Sequence, residues 1–165
     1  MVLDFGRLFV TDSMREDIDL TFDFSGEQYR GVCPFTAPVR FTGYAENRAG
    51  AVTLRGQVCG DYTDLCDRCG EMCTAHITAE LCFTLVSTMA NDEERDDFLV
   101  IPDKKLDIDR VVLEELILAL PTKHLCSDDC RGFCSGCGAN LNRQACTCSE
   151  DDGDPRLSVL KTLLK

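Results

Sequence analysis

Cys126, Cys130, Cys134, Cys137, Cys146 and Cys148 place half of the chain's twelve cysteines within one short segment. Its centre, Cys134-x-x-Cys137-Gly138, has the form of a zinc knuckle. Two intervening residues let both thiolates reach one ion at about 2.3 Å, and the small residues Gly136 and Gly138 let the turn close. A tetrahedral ion needs four ligands, so two more must come from Cys126, Cys130, Cys146 and Cys148. Cys146 with Cys148 is the natural closing pair and Cys126 with Cys130 its competitor; spacing alone does not choose. An all-thiolate set suits structural zinc, ahead of an iron–sulfur cluster or redox-active thiols. It leaves no open position for a reacting water, so such a site stabilises rather than catalyses. His124 could replace one thiolate, although a hydrogen-bonded histidine accounts for it more simply.

A second arrangement, Cys66-Asp67-Arg68-Cys69 with Cys73 beyond it, lies between two β-prone runs. A redox Cys-x-x-Cys is expected at a helix N-terminus, which lowers the thiol pKa, and that context is missing here. A packing or turn role is favoured over a metal role, which could include joining the C-terminal zinc, and over a redox role. Arg68 could meet a phosphate or a partner carboxylate, or be an ordinary exposed arginine. Cys33, Cys59 and Cys82 stand alone and are expected to be buried as small apolar groups. No nucleophile elbow, P-loop or H-E-x-x-H pattern occurs, so the sequence gives no reason to expect an enzyme.

The elements that must position these cysteines follow from periodicity. Asp17–Phe24 alternates polar and apolar residues, Val39–Tyr44 and Ala51–Val58 flank the polar connection 46–50, and Thr74–Val86 places Ala75, Ile77, Ala79, Leu81, Phe83 and Leu85 on one face. These runs predict a small antiparallel sheet or meander. Five acids among residues 91–97 predict a solvated loop before a short strand at Phe98–Ile101. From Ile108 to Leu120, Val112, Leu113, Leu116, Ile117 and Leu120 recur at helical spacing, with Asp109 as the expected cap and Pro121 beyond the end. Asp154, Pro155, Leu157, Leu160 and Leu164 predict a closing helix. The expected fold is α+β: a β-rich body over residues 1–103, and a helix, a cysteine-rich zinc loop and a closing helix over 104–165, in one integrated domain.

The 165 residues carry 29 Asp and Glu against 17 Lys and Arg, a formal net charge of −12. That balance argues against strong non-specific binding of nucleic acid by the whole surface. No run approaches the roughly 18 apolar residues that a membrane-spanning helix needs, and residues 1–10 lack the pattern of a signal peptide. A cytoplasmic location is therefore expected, where reduced thiols disfavour a disulfide framework.

Cys66-x-Arg68-Cys69, Ile108-Asp109 leading into the helix, Leu120-Pro121, Leu125-Cys126-x3-Cys130-Arg-Gly-Phe-Cys134-x2-Cys137-Gly-Ala-Asn140-Leu-Asn142, Cys146-x-Cys148 and Asp154-Pro155-Arg156-Leu157 occur in this order. The series resembles the YceD family of large ribosomal RNA subunit accumulation proteins, in the bacterial branch that carries C-terminal zinc-type cysteines. The chain departs from the family pattern at Phe133 and Gly70, positions where leucine is usual. Since other branches keep only the Cys66-x-Arg68-Cys69 motif, the resemblance implies that the C-terminal zinc is not the family's shared functional centre. It also implies a non-enzymatic factor in large-subunit rRNA accumulation or processing during ribosome assembly. The acidity favours a basic ribosomal protein or pre-ribosomal large-subunit particle as partner, with rRNA contacted indirectly or locally, and neither a membrane nor a small-molecule substrate is expected. Residues 91–97 and 150–154 are candidate docking surfaces. The alternative from another class is a cytosolic thiol redox or metal-handling protein that uses Cys66 and Cys69; a nuclease would need a hydrolytic centre.

Overall fold

A computed structural model describes residues 1–88, 97–146 and 148. These fall into two compact units. The first comprises residues 1–64 and 73–124, and the second comprises residues 65–72 together with the chain from Leu125 onward.

Strands β1 (Val2–Asp4), β2 (Arg15–Phe22), β3 (Val39–Arg48), β4 (Ala51–Leu65), β5 (Met72–Val86), β6 (Phe98–Val100) and β7 (Lys105–Asp107) precede helix α1 (Ile108–Leu118). Strands β2 to β6 form one sheet in chain order, and β1 pairs with β7 in a second. The expected β-rich body with mostly antiparallel pairing and an amphipathic helix is present. The pairs β2–β3 and β3–β4 are antiparallel, but β6 runs parallel to β5, with Thr84 opposite Phe98, which a simple meander does not anticipate.

Two boundaries differ from expectation for identifiable reasons. β3 continues to Arg48 through residues read as a polar connection, and only Ala49 (φ 53°) and Gly50 (φ 84°) form the turn, both in the left-handed region that a tight two-residue hairpin requires. Asn47 is tolerated there, although buried, because its Nδ2 donates to the Leu8 carbonyl at 2.6 Å and its Oδ1 accepts from the Gly50 N–H at 3.0 Å. The helix is preceded by Asp107 at the N-cap position, without a side-chain cap bond, and the expected cap Asp109 falls in the first turn.

Alternation along the strands builds the core of the first unit. Phe41, Leu54, Val58, Leu81 and Leu85 face inward and share one apolar cluster with Ile108, Val112 and Leu116 of α1. The ring of Phe41 lies over the paired Gly43 and Gly56; a Cβ on Gly56 would meet it at 2.5 Å. The same alternation sends Cys82 to solvent and leaves Cys59 half-buried, and Cys33, in the connection between β2 and β3, is half-buried too, so none of the three is the core residue expected. Among the described residues, no helix is long and apolar enough to cross a membrane. The expected closing helix lies outside the described residues, as does the acidic segment 91–97 except Asp97.

Candidate metal centre

The second unit contains eight of the cysteines, sorted into two sets of four. Cys66, Cys69, Cys126 and Cys130 form one set and Cys134, Cys137, Cys146 and Cys148 the other; within each, the sulfurs lie within 4.8 Å of one another. Cys146 and Cys148 thus close on Cys134 and Cys137. Cys126 and Cys130, the competing pair, instead meet Cys66 and Cys69, which the sequence favoured as packing or turn residues. His124 joins neither set: its Nε2 lies 3.1 Å from the Cys73 sulfur and 3.0 Å from the Cys73 carbonyl oxygen.

Both Cys-x-x-Cys turns are built the same way. The N–H of Gly70 donates to the Cys66 carbonyl and that of Gly138 to the Cys134 carbonyl, each at 2.8 Å. The N–H of Cys66 donates to the Glu71 carbonyl and that of Cys134 to the Ala139 carbonyl, again at 2.8 Å in each case. Gly70 and Gly138 have φ of 63° and 70°, a conformation that glycine adopts without a Cβ penalty. The shared Cys-x-x-Cys-Gly signature was therefore the available signal that Cys66 and Cys69 belong to a second knuckle.

Sulfur spacing fits an ion. Bonds of about 2.3 Å in a tetrahedron separate the sulfurs by about 3.8 Å. Cys66 and Cys130 lie 3.7 Å apart, Cys69 and Cys126 3.6 Å, and Cys137 and Cys146 3.6 Å, with Cys134 and Cys146 closer at 3.2 Å. None of the twelve cysteines is joined in a disulfide. The two sets differ in exposure. Cys66, Cys69 and Cys130 are buried at 2%, 0% and 4%, whereas every member of the other set is half-buried or exposed.

Surrounding polar groups stabilise thiolates. Burial raises the Cys66 thiol, but the backbone N–H groups of Cys126, Cys69 and Arg68 outweigh it and bring it down to about 6. Cys134 is also lowered to about 6, chiefly by the Cys137 N–H, then by the Cys146 thiol and the Gly136 N–H. Asn142, whose Nδ2 donates to the Cys130 sulfur at 3.3 Å, is the main reason that Cys130 is lowered. The opposite shift falls on Cys126, pushed up to about 12 by the neighbouring Cys130 and Cys69 thiols, and on Cys148, pushed up to about 12 by Cys146 and Cys137. Adjacent sulfurs cannot all ionise without a cation among them, so a metal entering either set displaces protons.

Arg68 is exposed, and its guanidinium is held by backbone carbonyls. Its Nη1 donates to the carbonyls of Cys130 at 2.9 Å and Asp128 at 3.4 Å, which fixes the Cys126–Cys130 turn.

A model of the family described as "Large ribosomal RNA subunit accumulation protein YceD" matches residues 54–164, a span that includes all eight clustered cysteines. Two relatives share the name "Large ribosomal RNA subunit accumulation protein YCED homolog 1, chloroplastic". The one from Arabidopsis thaliana is 26% identical over 127 residues, covering 59% of this chain and 40% of the relative. The one from Zea mays is 28% identical over 199 residues, covering 99% of this chain and 66% of the relative. The chain thus spans less than two thirds of the length of these curated relatives. No solved structure matches it. By a family match over most of its length, the chain belongs to the YceD family of large ribosomal RNA subunit accumulation proteins.

Proposed function

We infer that this chain is a non-enzymatic factor of ribosome biogenesis that supports the accumulation and processing of large-subunit rRNA in the cytoplasm. The observation that carries this reading is the family match over residues 54–164. Zinc is the metal best suited to both cysteine sets, because each offers four thiolates at tetrahedral spacing. Zinc there would supply cross-links rather than catalysis, with Cys66, Cys69, Cys126 and Cys130 holding one ion and Cys134, Cys137, Cys146 and Cys148 the other.

A basic ribosomal protein, or a pre-ribosomal particle displaying one, is the partner that the charge favours. The formal net charge is −12, and each tetrathiolate set with a divalent ion adds −2 more than neutral thiols would. Such a surface attracts cationic segments and repels exposed phosphates. Residues 150–154, a candidate surface for that contact, lie outside the described residues. The redox alternative is weakened by the placement of Cys66 and Cys69, which are buried within a set of four rather than presented at a helix N-terminus.

The test is the ratio of mature large- to small-subunit rRNA in cells depleted of the protein, with crosslinking in the same cells to identify what the chain touches. A fall in the ratio, restored by re-expression, is expected, together with crosslinks to a basic ribosomal protein. An unchanged ratio would overturn the proposed role, and crosslinks confined to rRNA would overturn the protein-docking part.

A further inference from the structure

The two cysteine sets are unequal and joined. Asn140, Leu141, Asn142 and Arg143 lie in the loop between Cys137 and Cys146, which the exposed set closes at both ends. This loop reaches the buried set at two points. Asn142 donates from Nδ2 to the Cys130 sulfur at 3.3 Å, while its Oδ1 accepts from the Arg131 N–H at 2.7 Å. On the other side, Asn140 Nδ2 donates to a Glu71 carboxylate oxygen at 2.9 Å, Arg143 Nε pairs with the same oxygen at 2.6 Å, and the Glu71 carbonyl accepts the Cys66 N–H.

The geometry points to a coupled pair of metal sites, in which the exposed set, Cys134, Cys137, Cys146 and Cys148, is the exchangeable site and its occupancy tightens the buried set through Asn142. This rests on the reading that both sets hold a metal. The physical argument has two steps. Three of the four buried-set thiols are shielded from water, whereas the exposed set is open to chelators and competing thiols, so the exposed ion leaves first. A metal in the exposed set fixes both ends of the loop, so the ordering entropy of Asn142 is already met when it donates to the Cys130 thiolate. By linkage, the buried ion must equally favour filling of the exposed site. The module thus has two levels of order, and metal availability selects between them.

The experiment titrates the full, reduced chain with Co(II), read by its thiolate charge-transfer and ligand-field absorption and calibrated by a competing chelator. Wild-type chain is expected to take up two ions. Asn142→Ala keeps all eight ligands, and outer-shell losses of this kind weaken a site by about 10- to 100-fold; about tenfold is expected at the buried site. Cys146→Ser with Cys148→Ser should leave one ion, in the buried set, held more weakly than in wild type. Adding Asn142→Ala to that background should cost little more, because the loop is no longer held. With Cys126→Ser and Cys130→Ser instead, Asn142→Ala should leave the exposed site's affinity unchanged. Equal affinity of the buried set with and without the exposed one, or no effect of Asn142→Ala, would overturn the coupling while leaving two metal sites. Failure of the reduced wild-type chain to bind cobalt would overturn the two-metal reading itself.

Discussion

The ring of Phe133 covers the α-carbon of Gly70, so closely that a Cβ there would lie 3.1 Å from its Cε2. The ring occupies space that a side chain at position 70 would fill. Phe133 is also held through its N–H, which donates to the Arg68 carbonyl at 3.2 Å. Gly70→Ala should destabilise the metal module by about 1–3 kcal/mol, the range for an L-residue held in a sparsely populated backbone conformation. Gly70→Leu should cost more alone than together with Phe133→Leu, a non-additivity that thermal unfolding of the four variants would measure.

Chelation should unfold the module and spare the sheet. Residues 125–146 are rich in Gly, Asn and Asp and contribute few residues to burial, whereas metal binding stabilises zinc-finger peptides by on the order of 10–16 kcal/mol. Amide exchange after removal of the metal should therefore speed up in residues 65–72 and 125–146 and remain slow in β3, β4 and α1. Uniform loss of protection would show that the first unit cannot stand without the ions.

Arg68→Ala is expected to weaken metal binding at the buried set, since Arg68 holds the carbonyls of Cys130 and Asp128. The loss should be about 1–2 kcal/mol, in keeping with hydrogen bonds from a charged donor. Arg68→Lys should recover little, because a single ammonium cannot reproduce the guanidinium's fork. An unchanged metal affinity combined with loss of partner binding would instead make Arg68 a contact residue.

The β2–β3 pair carries a surface ion pair with a definite pH dependence. Arg40 donates from Nε and Nη2 to the two carboxylate oxygens of Asp19 at 3.0 and 2.7 Å, and this contact lowers the Asp19 carboxyl below its ordinary 3.8. A lowered native value means that the unfolded chain binds the proton more readily. The contribution is therefore complete above about 3.8 and fades as pH falls through the native value. Asp19→Asn should be slightly less stable than wild type at neutral pH, with the difference in melting temperature closing below that range. A constant difference would assign the effect to the strand rather than to charge.

In the core, Gly56→Ala should destabilise the first unit by about 1–3 kcal/mol, as overpacking does. The added Cβ would fall 2.5 Å from the Phe41 ring, and the opposing strand confines the movement that could relieve it. Unfolding by urea would show a lower midpoint; an unchanged midpoint would mean that the ring has another rotamer open to it.

Local signals located most of the elements, because alternation in β2 and β5 and helical spacing in α1 are properties of neighbouring residues. They did not locate what depends on distant pairing. The extension of β3 through Asn47 required the Leu8 carbonyl, 39 residues away in sequence, to satisfy its amide. The pairing of Cys146 and Cys148 with Cys134 and Cys137 is local and was the natural choice from spacing. The other set was hidden, because Cys66 and Cys69 are separated from Cys126 and Cys130 by β5, β6, β7 and α1. Only the glycine after each Cys-x-x-Cys marks the two turns as alike. Arg68 was legible as part of a motif, but its hydrogen bonds go to the carbonyls of Asp128 and Cys130, which lie about 60 residues away in sequence.

The buried set joins Cys66 to Cys130 and Cys69 to Cys126, spans of 64 and 57 residues. A growing chain displays its first two thiols long before the other two are synthesised, so this site cannot exist until β5 and α1 have been made. Closing loops of that length early would be entropically costly, whereas a folded sheet and helix already bring their ends within reach. Insertion of the buried ion therefore belongs at the end of folding, where it acts as a latch on a chain that has already found its topology.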